Sequence, residues 1–454
     1  MKAKKERPFG TTSGGERLMY ALGDLGSNFV WTFCSSFLTL YYTDSVLVSS
    51  GLIGTIMLIC RIFDGFSDIG AGLLIERTRS KKGKARPWFG GSIIPLVVIQ
   101  LLVFNVPGSL SMGAKIAWIV ISYFLLTVVA YTINNVSYHA MLPRISLTSE
   151  DRNKVSSLRG IFSFIAGLLL AILTPRLLAA GGGEKVQSAW TSVALIYCVL
   201  CLVFEGICYF GTKEKISSSE ETEAKKEQSH DLKLGVRELL HTKYFYITVI
   251  VFIFAFIING VFLSSAVYFT RDVFGNADLY SLIAIISILT AVVVMAFAPK
   301  LFARHGKRNV LLVAAVVGIV GGIIGYLGAK SLNVILVFVS TALHGVSLAP
   351  FVAAIFTFAS DIIDYLELKT GERYEGLVTS VSSIGSKVGT GLGSAILGWG
   401  LAAGGYDGAL EMQVQSALNA ESFLLFIVPA IASIACFIAM WFWDIDKKIS
   451  EIKK

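Results

Sequence analysis

Charge is what this chain has least of. Only 15% of its 454 residues are Asp, Glu, Lys or Arg, against about 25% in a soluble globular chain. That deficit excludes a cytosolic enzyme, a nucleic-acid-binding protein and a disordered chain. Proline is scarce at 9 residues, whereas 43 glycines suit closely packed membrane helices. The six cysteines, Cys34, Cys60, Cys198, Cys201, Cys208 and Cys436, all fall inside apolar runs. None of their spacings suggests an extracellular disulfide framework, so they read as small apolar fillers. No metal-ligand cluster, Walker loop, GxSxG elbow or dinucleotide fingerprint is present. The expectation is therefore no enzyme, no ATP hydrolysis and no cofactor beyond a coupling ion. No cleavable signal peptide is expected, because the first apolar run is long and carries Asp24 and Asn28.

What the chain has in excess is apolar sequence: 54% hydrophobic residues and a mean hydropathy of +0.70. A membrane helix needs roughly 20 successive apolar residues. Twelve such spans are expected at 16–43, 48–75, 87–107, 114–142, 153–178, 187–210, 243–271, 278–302, 308–328, 332–364, 374–403 and 419–443. The expected fold is an all-α polytopic membrane protein with twelve transmembrane helices in two six-helix halves. The halves are residues 1–210 and 243–454, the second with a short tail. The stretch 211–242, with its charged SSSEETEAKKEQSH core, is a linker.

The basic residues sort by loop. The 2–3 loop holds Arg77, Arg79, Lys81, Lys82, Lys84 and Arg86, and the 8–9 loop holds Lys300, Arg304, Lys307 and Arg308. The alternate loops hold few: Lys115, Arg176, Lys185, Arg271 and Lys330. The positive-inside rule then places both termini in the cytoplasm, with the protein in the cell (inner) membrane. Its expected partners are the lipid bilayer and a small molecule, with no nucleic acid, and the chain is expected to act as a monomer. A weak repeat runs through the halves. Span 2 leads into IERTRSKKGKARPW and span 8 into LFARHGKRNV, each a basic turn containing glycine. In such two-fold carriers the substrate binds at the midplane between repeats.

Charges within spans are costly, at about 2.5–3.5 kcal/mol each on insertion scales, and are therefore functional candidates. Span 2 reads RIFDGFSD, so Arg61, Asp64 and Asp68 share one helical face. Two carboxylates one turn apart in an apolar medium are tolerable when a cation or proton lies between them. Ser67 and Thr132 can add hydroxyl oxygens. The alternative is a fixed Arg61–Asp64 ion pair with Asp68 at the water edge. Span 4 reads YTINNVSYH, placing Tyr131, Asn134, Asn135 and His139 within successive turns. Span 1 carries Asp24, Asn28 and Trp31. Amides and an aromatic ring suit a sugar, the ring stacking on a pyranose face. They equally suit helix–helix contacts without any ligand. Arg159 and Lys387 lie deep in spans 5 and 11 and must face carboxylates or an anionic ligand, with Lys387 expected beside Asp64 and Asp68. Glu205 reads as an interfacial or gate residue, and His344 as a core histidine.

YALGDLGSNF, YYTD, RIFDGFSD, TRSKKGKARPW and DIIDYLELKTGERYEG together resemble the glycoside–pentoside–hexuronide:cation symporters. These form the melibiose-permease branch of the major facilitator superfamily. The resemblance covers nearly the whole chain and implies a secondary active symporter that couples Na⁺ or H⁺ to sugar uptake. It implies that Asp64 and Asp68, with Ser67 and Thr132, hold the coupling cation, the only metal ion expected. It also implies that Lys387 is the family's lysine near that site and Arg159 its helix 5 arginine. Asp24, Asn28, Trp31, Tyr131, Asn135, His139, Arg159 and Lys387 are the substrate-binding candidates. Arg77, Arg79, Asp361, Asp364 and Arg373 are the gating candidates. The family often has Asn at the position of Ser67. Melibiose permease has carboxylates where Asn28 and Asn135 stand, and a tryptophan in place of His139. Amides there admit an anionic sugar, such as a glucuronide or sulfosugar, and a neutral pentoside stays open. The rival readings are a carrier of another organic anion or a lysolipid, and a membrane sensor that does not transport.

Overall fold

The computed structural model describes residues 11–215, 232–371 and 374–452. Half of the expected linker, residues 216–231, and the gating candidate Arg373 lie outside these residues. The described chain is helical. In order, the helices are α1 (Gly14–Leu40), α2 (Ser50–Arg77), α3 (Arg86–Val103), α4 (Met112–Phe124), α5 (Thr132–Ile145), α6 (Ser149–Ala180), α7 (Gln187–Gly211) and α8 (Leu232–His241). They continue with α9 (Lys243–Asp272), α10 (Asp278–His305), α11 (Lys307–Lys330), α12 (Val334–Thr370), α13 (Glu375–Gly404), α14 (Gln415–Ser422), α15 (Val428–Trp441) and α16 (Ile445–Ile452). Wide π turns follow α1 at Tyr41–Ser45, join α4 to α5 at Leu125–Tyr131 and join α14 to α15 at Phe423–Ile427. Among the described residues nine helical segments are long and apolar enough to cross a membrane. The chain is thus a multi-pass membrane protein. Three further long helices, α1, α2 and α13, carry Asp24, Asp64 and Lys387.

Local chemistry sets the helix ends. Ser13 caps α1 by accepting from the Glu16 amide at 2.9 Å, and the Glu16 carboxylate accepts from the Ser13 amide at 3.3 Å, a reciprocal capping box. Asn333 caps α12 through the amides of Ile335 and Leu336, and Gly371, at φ 76°, ends that helix. The N-terminus of α3 has Ala85 at its cap position and no capping side chain of its own. Glu214 serves instead, accepting from the amides of Lys84, Ala85 and Arg86 at 2.9, 2.9 and 2.7 Å. Gly83 takes φ 105° in this basic turn, and Gly306 takes φ 77° in the corresponding turn after α10. Both positions favour glycine because a Cβ is strained there.

The helices gather into two compact units. The first comprises residues up to 41 and from 66 to the linker; the second comprises 42–65 and the C-terminal part. The long helix α2 therefore contributes its first half to the second unit. In the first unit α1 packs on α6 and α7, and α3 packs on α5 and α7. Phe33 stacks on Phe104 with centroids 4.2 Å apart and meets Tyr197 edge-on at 4.9 Å. In the second unit α9 packs on α13 and α15, while α12 receives α10 and α11. Small residues allow these approaches. A Cβ on Gly322 would lie 2.7 Å from the Ala430 side chain, and one on Gly328 2.8 Å from that of Leu336. All six cysteines are buried.

Candidate functional site

The first unit builds a polar cluster from α1, α5 and α6. The π turn before α5 widens the backbone, and Thr132 fills the extra step by donating from Oγ1 to the Thr127 carbonyl five residues back, at 2.8 Å. Such turns interrupt the helical register and often mark functional sites. They bring Tyr131 against Trp31 of α1, the rings stacked with centroids 4.5 Å apart and planes 19° from parallel. On α1, Asn28 donates to the Asp24 carbonyl at 2.8 Å and, at 3.4 Å, to its carboxylate; Thr32 donates to the Asn28 oxygen at 3.1 Å. Asn135 donates to the Tyr131 hydroxyl at 3.4 Å.

Arg159 of α6 closes the cluster. Its Nη2 donates to Asp24 Oδ1 and to His139 Nε2, each at 3.0 Å. A guanidinium offers no acceptor, so His139 Nε2 carries the lone pair and Nδ1 carries the proton. That proton goes to the Asn135 carbonyl at 2.8 Å. The guanidinium also lies 4.8 Å from the centre of the Tyr138 ring, and Tyr138 stacks on Tyr20 at 4.6 Å. The cluster gathers Asp24, Asn28, Trp31, Tyr131, Asn135, His139 and Arg159 in one place. It pairs one cation with one carboxylate, so Arg159 is charge-balanced by Asp24.

The second unit holds the other charged centre. Lys387 of α13 donates to Asp64 Oδ1 at 2.7 Å and to the Asp64 carbonyl at 2.8 Å. Arg61 reaches Asp64 at 3.5 Å, and both side chains on α2 are buried. Lys387 therefore stands on Asp64, and the Arg61–Asp64 contact is the longer one. Asp68 lies one turn further along α2 and is half-buried. In the first unit, Ser67 and Thr132 meet hydroxyl to hydroxyl at 3.1 Å.

The gating candidates are scattered. Arg77 and Arg79 are exposed at the end of α2 and in the loop after it. Asp361 pairs with Lys307 at the start of α11. Asp364 is exposed on the following turn.

Two polar centres were not anticipated. The interfacial reading of Glu205 is corrected: its carboxyl is fully buried in the first unit. It accepts from Asn134 at 2.8 Å and Ser27 at 3.0 Å, and a Cβ on Gly26 would lie 2.9 Å from its Cγ. Amide and hydroxyl donors explain how a carboxyl is tolerated there. In the second unit, Arg271 donates to Asp44 at 2.5 Å, to Asp272 at 2.6 Å and to the Tyr406 hydroxyl at 2.7 Å, and Tyr406 donates on to Asp44 at 2.7 Å. The available signal was the YYTD motif, which ends in Asp44, together with one arginine in an otherwise weakly charged loop set.

The MFS/sugar transport protein family matches residues 19–447. The isoprimeverose transporter of Lactiplantibacillus pentosus is 31% identical over 434 residues, covering 95% of this chain and 89% of that protein. The glucuronide carrier protein homolog of Escherichia coli K12 is 26% identical over 436 residues, covering 95% and 93%. Among solved structures, a D-xylose-proton symporter superposes with a TM-score of 0.67 at 13% identity, covering 94% and 97% of the two chains. That last likeness is one of fold.

Proposed function

Since this chain belongs to the family of MFS/sugar transport proteins, and within it to the glycoside–pentoside–hexuronide:cation symporters whose motifs it carries, we propose that it is a secondary active symporter. It couples entry of Na⁺ or H⁺ to uptake of a sugar or glycoside by alternating access. The observation that carries this reading is the Asp24–Arg159–His139 cluster with its amide and aromatic neighbours. Carboxylate, amide and guanidinium groups can each bond sugar hydroxyls, and the Trp31–Tyr131 pair supplies an apolar face.

The coupling cation is assigned to the oxygens of α2: Asp64 and Asp68, with Ser67 and its hydroxyl partner Thr132. A cation arriving there competes with the Lys387 ammonium for the Asp64 oxygens, so Lys387 sets the affinity. Binding of cation and sugar is linked, each raising the affinity of the other by the same factor. Arg77, Arg79, Asp361, Asp364 and Arg373 are assigned to gating. The chain is read as a monomer in the inner membrane with both termini cytoplasmic, and not as an enzyme.

Substrate charge is the finer question. With Arg159 answered by Asp24, the cluster has no surplus positive charge, which favours an uncharged sugar or glycoside. An anionic sugar must displace Asp24 from the guanidinium. The relatives' names span both, one an isoprimeverose transporter and one a glucuronide carrier homolog. The test is a thermal-shift screen of purified protein against neutral glycosides, uronides and sulfosugars, with and without Na⁺ and across pH. Stabilisation by one sugar class that grows with the coupling ion supports the reading. Stabilisation only by lysolipids or by organic anions other than sugars rejects it.

A further inference from the structure

The transport reading leaves unused an apolar crevice in the first unit. It lies between α3 and the turn leading into α5, holds about 520 Å³, and is walled by Pro87, Trp88, Gly91, Pro95, Val129 and Ile133. That volume falls in the ~300–1,000 Å³ range of small-molecule sites. The crevice exists because its wall is cut back: a Cβ on Gly91 would meet nothing within 4 Å. Its two hydroxyl-bearing residues are already engaged. Thr78 donates to the Leu74 carbonyl at 2.8 Å and accepts from the Trp88 indole at 2.7 Å. Ser92 donates to the Phe89 carbonyl at 2.8 Å and accepts from Asn134 at 3.2 Å. Nothing in the lining is left to greet a polar ligand, so the occupant is hydrocarbon. The walls belong to helices that cross the membrane, which makes the source of that hydrocarbon a lipid chain.

The end of the crevice adds a charge requirement. Thr78 and Pro87 lie in and beside the loop that carries Arg77, Arg79, Lys81 and Lys82, all four exposed. Among the described residues no side chain of opposite charge answers them. Trp88 stands at the same level, as indoles do where hydrocarbon meets headgroups. A second crevice, in the second unit between α9 and α15, supplies the contrast. It holds about 570 Å³ among Lys243, Tyr246, Ile250, Ile438 and Phe442. Its one cation, Lys243, is already paired with Asp444 at 2.7 Å.

We propose that the first crevice is a binding site for an anionic phospholipid of the surrounding bilayer. One acyl chain lies along Gly91 and Pro95, and the phosphate headgroup rests against Arg77, Arg79, Lys81 and Lys82. The second crevice takes an acyl chain without preference for headgroup charge. Clustered basic residues beside a membrane helix recognise anionic headgroups in this way.

The test is native mass spectrometry of the delipidated full-length protein with phosphatidylglycerol or phosphatidylcholine of identical chains. The wild type should retain phosphatidylglycerol at least about tenfold better. The combined Arg79→Gln, Lys81→Gln and Lys82→Gln variant should lower it to the phosphatidylcholine level; these exposed positions leave folding untouched. Gly91→Leu, which fills the crevice, should remove the preferentially retained lipid. Ala435→Leu, which fills the second crevice, should leave the preference intact. Equal retention of the two lipids by the wild type overturns the proposal. So does a charge variant or Gly91→Leu that still prefers phosphatidylglycerol, or Ala435→Leu that abolishes the preference.

Discussion

The two units each hold an ion pair at a helix face, and the pairs differ in how far the carboxylate is open. In the first unit Asp24 and Arg159 lie 3.0 Å apart and are 14% and 15% exposed. Amides, rings and a histidine surround them. In the second unit Asp64 is 2% exposed, gripped by Lys387 at 2.7 Å and approached by Arg61. The first pair can exchange partners with a polyol at small cost. The second can do so only by bringing another positive charge to Asp64, because an unpaired buried carboxylate is expensive. The difference fits the proposed roles, in which the Asp24–Arg159 pair meets the sugar and Asp64 answers to the cation.

The largest effect should come from breaking the closed pair. Lys387→Met takes the nearer cation from the buried Asp64 and leaves the longer Arg61 contact in place. Loss of one partner from a buried pair costs about 3–5 kcal/mol, so a marked drop in melting temperature is expected, and Asp64→Asn added to it should restore most of the loss. A single variant that melts like the wild type would mean that Arg61 alone suffices, and the contrast between the centres would collapse.

Asp24→Asn should act in the opposite way. The substituted amide still offers Arg159 an acceptor oxygen, whereas a sugar loses a hydrogen bond to a charged group, worth about 1.5–3 kcal/mol. Sugar affinity measured by calorimetry should fall about tenfold to a hundredfold with the melting temperature nearly unchanged. Substrate charge is sharpened by Asn28→Asp. For an uncharged sugar the loss of affinity should stay below about tenfold and not depend on pH. A larger loss that recovers at low pH, where the new carboxyl is protonated, would show an anionic substrate repelled at close range. The smallest equilibrium effect belongs to Arg79→Gln. An exposed substitution shifts free energies by about 0.5 kcal/mol or less, so Kd should change no more than about twofold while the transport rate changes more. Loss of affinity at an unchanged rate would place Arg79 in the sugar site.

Much of this was legible in the chain itself, because membrane helices announce themselves by apolar runs and their intramembrane charges stand out. RIFDGFSD exposed the α2 face, and a buried Lys387 had to find a carboxylate. What stayed hidden depended on long-range pairing. Asp44 and Arg271 are 227 positions apart, and Arg271 and Tyr406 135, and nothing periodic links them. Glu205 looked like an end residue because a lone carboxyl in an apolar run gives no sign of the Asn134 and Ser27 donors that enclose it. The π turn at Leu125–Tyr131 was invisible for another reason. Its sequence, LLTVVAY, reads like any apolar span, and the Thr132-to-Thr127 hydrogen bond marks where the register slips. Charge balance was also illegible: Arg159 had to face a carboxylate or an anionic ligand, and only the structure sets it on Asp24.

The most direct test of the cation assignment is Asp68→Asn, assayed in membrane vesicles for uptake of the native sugar under an imposed Na⁺ or H⁺ gradient, beside sugar counterflow without a gradient. Expected is loss of concentrative uptake with counterflow retained, since the Asp24–Arg159–His139 cluster keeps all its residues. Full concentrative uptake by Asp68→Asn would contradict the assignment and remove the α2 carboxylate from coupling.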